Sequence, residues 1–473
     1  MTITINFCMT TLVTFDRRSR VPFYKQIYDG FRSAILTGRL RRGERLPSTR
    51  ALARELNISR LPVVNAFEQL LHEGYIEGRS GSGTYVKDSI PDELARPAAA
   101  LLRVGSAPIR SAPPHLGPFR VSLPALDRFP LRLWSRLVSK HAKQLTVEQM
   151  AYGDAAGHAP LRRAVADYLR TSRAVRCEAS EVLIVSGSQM ALKICALALL
   201  RRGTTVCIEE PGYPGARDAL KGTGARVVPI AVDDEGIDVE AIGRNARAVY
   251  VTPSHQYPLG MSMSASRRLA LIEWARRSEA WIIEDDYDSE YRYASRPLGA
   301  LQGMNTASRV IYIGTFSRVL FPALRLGYVV VPHELMDTFV RHRESIDLFS
   351  PLLEQLVLTE FLTEGHFSRH VRRMRALYEK RRDTLLRGLR EHAGGLVPYN
   401  TDAGLHISAF LPIGTDDRKV VHDAARRGID AIALSSCYAG PRPKSGLVLG
   451  FGGTSERRIA MACRTLGEVL RAG

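Results

Sequence analysis

Two groups of residues in this chain have the types and spacing to do chemistry. The first lies beyond residue 120, in five short segments at the ends of apolar runs. SGSQMAL (186–192) opens a helical pattern after such a run, and its small residues let backbone amides reach a phosphate at a helix N-terminus. Alone it says little, because many strand-to-helix turns carry Gly and Ser. EPGYPG (210–215) sets Tyr213 in a Pro/Gly loop, where the ring could stack on a flat ligand or simply cover the turn. TPSHQYPLG (252–260) carries His255, and IIEDDYDSEY (282–291) carries Asp285, Asp286, Tyr287 and Asp288. Carboxylates at the C-terminal end of a strand commonly face a ligand crevice in α/β folds. YIGTFSRVLFPALRLGY (312–328) adds Ser317, Arg318 and Arg325. The second group is basic. Arg39, Arg41, Arg42, Arg45, Arg50, Arg54 and Arg60 face only Glu44 and Glu55 in the same stretch, a local net of +5. Such a run fits either a solvated helix face or a surface that meets phosphates.

The elements that must hold these residues follow from pattern. In the N-terminal part, Ile27, Phe31 and Ile35 form an i, i+4, i+8 stripe over Tyr24–Thr37, stopped by Gly38. Ser48 is placed to cap a second helix running to about Leu56, and Ser59 to cap a third. Pro62 falls in the third helix's first turn, where a missing N–H costs little. Val63, Phe67, Leu70 and Leu71 give that helix a core face, and Gly74 ends it. YIEGRSGSGTYV then reads as a β-hairpin with a Gly/Ser tip. One helix, a helix-turn-helix and a hairpin make a winged helix-turn-helix. Arg50 and Arg60 sit at the starts of the second and third helices.

Beyond residue 120, apolar runs at 182–187, 205–210, 248–253, 281–286, 309–314 and 326–331 alternate with helical patterns such as Ser266–Arg277. That alternation implies an α/β domain with a mainly parallel sheet. After about residue 335 a basic helical stretch, His366–His392, precedes short strands at 406–412 and 445–451, which suggests a smaller α+β part. Between the two halves, residues 88–120 are rich in Pro, Ala and Ser and read as a semi-extended linker or an irregular arm packed on the larger domain. The expected division is therefore 1–87, 88–120, 121–335 and 336–473. A length of 473 residues agrees with about three domains.

Composition narrows the setting. Hydrophobic residues make up 45% and charged residues 24%, which excludes a disordered tail or a collagen-like fibre. No apolar run approaches the roughly 18 residues of a membrane span, and the N-terminus lacks the pattern of a secretory signal. The six cysteines form no C-x-x-C pair, so neither zinc nor a disulfide framework is indicated. A cytoplasmic protein is expected. The net charge of +18 suggests an acidic partner. Residues 1–88 hold 14 Lys and Arg against 8 Asp and Glu, a net of +6, so two-thirds of the excess lies beyond the basic N-terminal part.

The ordered N-terminal series, from GRLRRGERLPSTRALARELNISR to the SGSG tip, closely resembles the DNA-binding domain of the GntR family of bacterial regulators over residues 22–86. The resemblance implies that Ser48, Thr49, Arg50, Ser59, Arg60, Gly81, Ser82 and Gly83 contact double-stranded operator DNA. Pro62 stands where the family more commonly has Thr. The later segments, with FPLRLW (129–134) and YGDAAGHAPLRRAVADYL (152–169), resemble fold-type I aminotransferases that use pyridoxal 5'-phosphate. Together the two halves most closely resemble the MocR subfamily, in which both are fused. That resemblance implies a fold of winged helix-turn-helix plus a large mixed, mainly parallel sheet domain and a small α+β C-terminal domain. It assigns Gly187, Ser188 and Gln189 to the phosphate and Tyr213 to stacking on the pyridine ring. Asp285 would pair with the ring nitrogen, and Tyr287 with the phenolate oxygen. Ser317 and Arg325 would complete the phosphate shell, and His255 belongs to the shared HQYP motif.

One position departs from the family. Its TFS serine is followed by a lysine that forms the Schiff base with the cofactor, and here that residue is Arg318, 33 positions after Asp285. Lys221 and Lys380 are far away in sequence. A lysine can shed its proton and attack an aldehyde; a guanidinium stays protonated and is a poor nucleophile. Covalent attachment and transamination are thus expected to be lost. Three readings follow: pyridoxal phosphate or a preformed adduct is bound non-covalently, Arg318 recognises a different anion, or the domain is a ligand-blind dimerisation scaffold. The retained phosphate-loop residues, Tyr213, Asp285 and Tyr287 favour the first. GLVLGF (446–451) lacks the arginine that amino-acid-binding relatives often place there. The expected protein is a homodimeric regulator with a small-molecule effector, an amino acid or amine, rather than an aminotransferase with an incidental DNA domain.

Overall fold

The stripe of Ile27, Phe31 and Ile35 builds helix α1 (Phe23–Leu36), with all three buried. Helix α2 (Thr49–Glu55) starts at Ser48, whose Oγ accepts from the Ala51 amide at 3.2 Å. Helix α3 (Arg60–His72) starts after Ser59, but Ser59 makes no side-chain cap bond, contrary to the sequence expectation. Its inward face is Val63, Ala66, Phe67 and Leu70, and Phe31 meets Phe67 edge to face at 5.4 Å. Leu71, expected in the core, is 48% exposed: the face turns toward Ala66 and leaves Leu71 on the flank. Strands β1 (Ile76–Arg79) and β2 (Gly83–Val86) pair antiparallel, Ile76 opposite Val86, as the wing. This small core has little redundancy. Phe31→Ala should cost about 3–5 kcal/mol, read as a lowered unfolding transition that takes DNA binding with it.

The structure is a computed structural model that describes residue 19 and residues 21–89, 116–293, 299–304, 309–440 and 444–472. The chain divides into two compact units, Met1–Pro113 and Pro114–Gly473. Most of the expected linker lies outside the described residues. Its last part, residues 116–120, belongs to the second unit: Phe119 is buried, its amide donates to Thr454 Oγ1, and it bridges to Gly450.

The second unit runs α4 (Leu131–Lys143), α5 (Ala159–Arg173), β3 (Val182–Val185), α6 (Ser188–Leu199), β4 (Thr205–Glu210), α7 (Pro214–Lys221), β5 (Arg226–Asp233), β6 (Gly236–Ile237), β7 (Ala246–Val251), α8 (Ala265–Arg277), β8 (Trp281–Asp286), β9 (Val310–Thr315) and β10 (Gly327–Val330). It continues through α9 (Met336–Asp347), α10 (Leu352–Thr363), α11 (His366–His392), β11 (Val397–Tyr399), β12 (His406–Phe410), α12 (Asp417–Arg426), β13 (Ile432–Ala433), β14 (Gly446–Gly450) and α13 (Glu456–Ala472). The large sheet has the order β3-β10-β9-β8-β7-β4-β5-β6. Strands β5, β4, β7, β8 and β9 are parallel, while β10 is antiparallel to both its neighbours and β6 to β5. Strands β3, β8, β9 and β10 are buried at every position, which is why they read as apolar runs, broken in β8 only by its closing Glu284, Asp285 and Asp286. Because the parallel strands end on one edge, the turns after them gather the chemistry-bearing segments there. A second, antiparallel sheet has the order β11-β12-β14-β13. Helix α9, expected in the C-terminal part, joins the large sheet's core through Phe339.

Among the described residues no helix is long and apolar enough to cross a membrane. Cys177, Cys195, Cys207, Cys437 and Cys463 are buried free thiols.

Candidate cofactor site and nucleic-acid interface

In the second unit, Gly187 caps α6 with φ +91°, a backbone conformation that favours glycine. A Cβ there would meet Arg325 Nη1 at 3.2 Å, so the Arg325 guanidinium stands beside the turn that leads into Ser188. Arg325 itself holds φ +52°. One residue further, Gln189 Nε2 donates to the Tyr213 hydroxyl at 2.9 Å. Tyr213 caps α7, and its ring lies edge-on to Tyr257 at 5.5 Å. Tyr257 in turn lies edge-on to Tyr287 at 6.1 Å.

The carboxyl groups at and just beyond the end of β8 have contrasting environments. Asp285 is 4% exposed, and its Oδ2 accepts from the Tyr250 hydroxyl at 2.8 Å. Its Oδ1 is buried with no partner among the described residues. Burial pushes the Asp285 carboxyl up to about 6, against the downward pull of the Tyr250 hydrogen bond and of Arg318. Burial also acts to raise Asp288, but His255, His406 and Arg318 facing it hold its carboxyl below the usual range. His255 Nδ1 lies 2.9 Å from Asp288 Oδ1 and 3.0 Å from the Tyr287 hydroxyl. The Asp288 carboxylate can only accept, so it fixes the proton on Nδ1 and leaves the Tyr287 hydroxyl proton free to donate elsewhere. Burial, then the nearby His255, pushes His406 down to about 3.

Arg318 lies over the Tyr287 ring, its Cζ 5.3 Å from the centroid. Its Nη1 is buried and has no partner among the described residues. Ser317 is half-buried, and its amide donates to Thr315 Oγ1 at 3.2 Å. The structure thus places Gly187 and Arg325 together, Gln189 with Tyr213, and Tyr287 with His255 and Arg318, with Asp285 within the electrostatic reach of Arg318. Tyr250 and Asp288, the direct partners of Asp285 and His255, were not assigned roles from the sequence. The one signal for Tyr250 is a hydroxyl-bearing ring inside the otherwise aliphatic run Ala248–Val251.

In the first unit, Ser48, Arg50, Ser59, Arg60, Gly81, Ser82 and Gly83 are exposed and Thr49 half-exposed. Arg60 Nε donates to Thr49 Oγ1 at 3.1 Å, which ties the start of α3 to the start of α2. The wing tip turns through Gly81 and Gly83, both at positive φ, and Ser82 Oγ lies 2.6 Å from the Tyr85 hydroxyl.

Comparison with known proteins agrees with both halves. Residues 23–86 match the family "Bacterial regulatory proteins, gntR family" and residues 134–413 match "Aminotransferase class I and II". The chain is 38% identical to the probable rhizopine catabolism regulatory protein MocR of Rhizobium meliloti, over 98% of this chain and 96% of that protein. It is 30% identical to the pyridoxine biosynthesis regulator PdxR of Corynebacterium glutamicum, over 95% and 96%. Among solved structures, Pyrococcus horikoshii kynurenine aminotransferase, in complex with PMP, superposes with a TM-score of 0.70 at 27% identity, covering 76% of this chain and 91% of that one. LysN of Thermus thermophilus, complexed with N-(5'-phosphopyridoxyl)-L-leucine, also gives 0.70 at 27%, covering 75% and 92%. The chain belongs to the MocR-type transcriptional regulators, a gntR-family DNA-binding domain followed by a fold-type I aminotransferase-like domain.

Proposed function

We propose that this regulator senses a small molecule through an aminotransferase-like site that holds pyridoxal phosphate without a covalent bond and does not transaminate. The observation that carries this reading is Arg318, buried and unpartnered at Nη1, where the family has its lysine. The rest of the site fits the cofactor. Asp285 Oδ1, a buried acceptor with no donor, is costly to leave unmatched, and a protonated ring nitrogen would supply that donor. The N-terminal amides of α6, Ser188, Ser317 and Arg325 would hold the phosphate, with Gly187 leaving room for it and Gln189 fixing Tyr213. Tyr213 would stack on the ring, and Tyr287, oriented by His255 and Asp288, would donate to its phenolate oxygen. When bound, pyridoxal phosphate supplies an electron-withdrawing ring. Arg318 is unsuited to take up and return the proton that transamination needs, because a guanidinium, unlike an amine, does not give up its proton at modest cost. Its cation can instead pair with the anionic end of an effector.

The DNA-reading face would be Ser48, Thr49, Arg50, Ser59, Arg60 and the Gly81–Gly83 tip, aimed at operator DNA. A homodimer would present two such faces to paired half-sites. Val147, Met150 and Tyr152, at 77%, 67% and 84% exposure in the single chain, are apolar surface that a second copy could cover. An effector would act by preferring one arrangement of the dimer over another.

Asp285→Ala tests the cofactor reading. Equilibrium dialysis should show weaker pyridoxal phosphate binding by roughly tenfold or more, as expected for a lost charge-assisted hydrogen bond. Equal binding by both proteins would count against the assignment, and no binding by either would favour a ligand-blind scaffold.

A further inference from the structure

The segment made of the end of β8 and the residues after it, 285–290, has two sides. Asp285, Tyr287 and Asp288 meet Tyr250, Arg318 and His255, as described above. Asp286, Ser289 and Glu290 meet a different set. Asp286 pairs with Arg173 at 2.8 Å, and Glu290 Oε1 accepts from the Tyr168 hydroxyl at 2.8 Å. On that side lies a cavity of about 240 Å³, bounded by the end of α5, by Ser289 and Glu290, and by the first turns of α11. It is built for a ligand in three respects. Ser289 is only 3% exposed, lines the cavity, and makes no hydrogen bond through its hydroxyl among the described residues. Arg372 stands at the rim without an ion-pair or hydrogen-bond partner among the described residues. Arg375 Nε and Nη2 grip the Glu290 carbonyl at 3.1 and 2.9 Å, which fixes its guanidinium at the cavity wall. Phe367 and Val371 supply apolar surface.

We infer that this cavity binds a small carboxylate of the size of an amino acid or a 2-oxo acid. Arg372 and Arg375 face the carboxylate, Ser289 donates to it, and Phe367 and Val371 cover its side chain. The site is separate from the cofactor-type site but shares the 285–290 segment with it. A ligand held at Ser289 and Glu290 is therefore one residue from the backbone of Asp288 and two from that of Tyr287. This gives the aminotransferase-like unit an effector position that does not depend on whether pyridoxal phosphate binds.

Glu290 distinguishes the two sources of such a carboxylate. The groups around it are Tyr168 and Arg173 of α5, Asp286 of β8, Tyr328 of β10, and Arg372 and Arg375 of α11. Burial, then the Asp286 carboxylate, pushes its carboxyl up to about 7. A 2-oxo acid brings a second negative charge, raises Glu290 further and takes up a proton. Its affinity should rise as pH falls from about 8 to about 6. An amino acid places an ammonium beside Glu290, releases a proton, and should bind more tightly as pH rises over the same range.

The test is calorimetry on the full chain with L-leucine, 4-methyl-2-oxopentanoate and sodium sulfate, each at several pH values. One of the two carboxylates should bind saturably with the matching pH slope. Arg372→Gln and Ser289→Ala should each weaken it about tenfold. Arg372 is exposed, so its replacement should leave the thermal unfolding transition in place. The proposal is overturned if neither carboxylate binds at millimolar concentration, if both cavity variants bind like the parent, or if sulfate binds as well as the carboxylates.

Discussion

Replacing Arg50 and Arg60 together with alanine should weaken operator binding at least about thirtyfold and lower the slope of log affinity against log salt by about 2. Both guanidinium groups sit at helix starts, where the backbone amides add to the attraction for a phosphate. Arg50 is exposed and has no protein partner among the described residues. Arg60 spends Nε on Thr49 and keeps its other donors for DNA. Some of its effect is therefore positional, and Arg60→Lys should separate the two contributions. It keeps the charge and the salt slope but releases Thr49. Mobility-shift titrations at several salt concentrations read all of this. If the double variant binds with the parent's affinity and slope, the DNA-reading face has been misplaced.

Arg318→Lys should convert the site from non-covalent to covalent. Pyridoxal phosphate added to this variant should give a visible absorbance that borohydride fixes to the protein, which the parent should not. The pocket is already arranged for such a change. Asp285 offers a free carboxylate oxygen, Gly187 and Arg325 frame the turn into α6, and Tyr287 has a proton to donate. Burial would lower the new lysine's pKa and ready it as a nucleophile, while the carboxylates of Asp285 and Asp288 would oppose that shift. Failure of the variant to attach the cofactor would mean that more than one residue separates this site from the enzymes it resembles.

The elements that positioned these residues were legible where burial or local chemistry fixed the pattern. Strands β3, β8, β9 and β10 are buried on both faces, so each announced itself as an apolar run. The stripe of α1 and the Ser48 cap were readable for equally local reasons. Strand β5 was not, because only Ile230 of its eight residues is buried, and β6 and β13 are two residues each. Leu71 misled because helical periodicity allows two adjacent faces and only tertiary packing selects one. At the site, motif position gave Asp285, Tyr287 and Arg325. It could not give Tyr250, 35 residues before its partner Asp285, nor the pairing of His255 with Asp288 across 33 residues. Those depend on which strands lie side by side, here β7 beside β8. The cavity at Ser289 and Arg372 draws on α5, the β8 turn and α11, and no single stretch of sequence marks it.

The central claim is that one arginine separates a sensor from an enzyme. The most direct measurement is intact-mass analysis of the parent protein after saturation with pyridoxal phosphate, borohydride reduction and denaturation, alongside equilibrium dialysis of an unreduced sample. The account predicts saturable, dialysable binding and an unchanged protein mass. A stoichiometric reduced adduct on the parent chain would contradict it, because some amine would then be doing what Arg318 cannot.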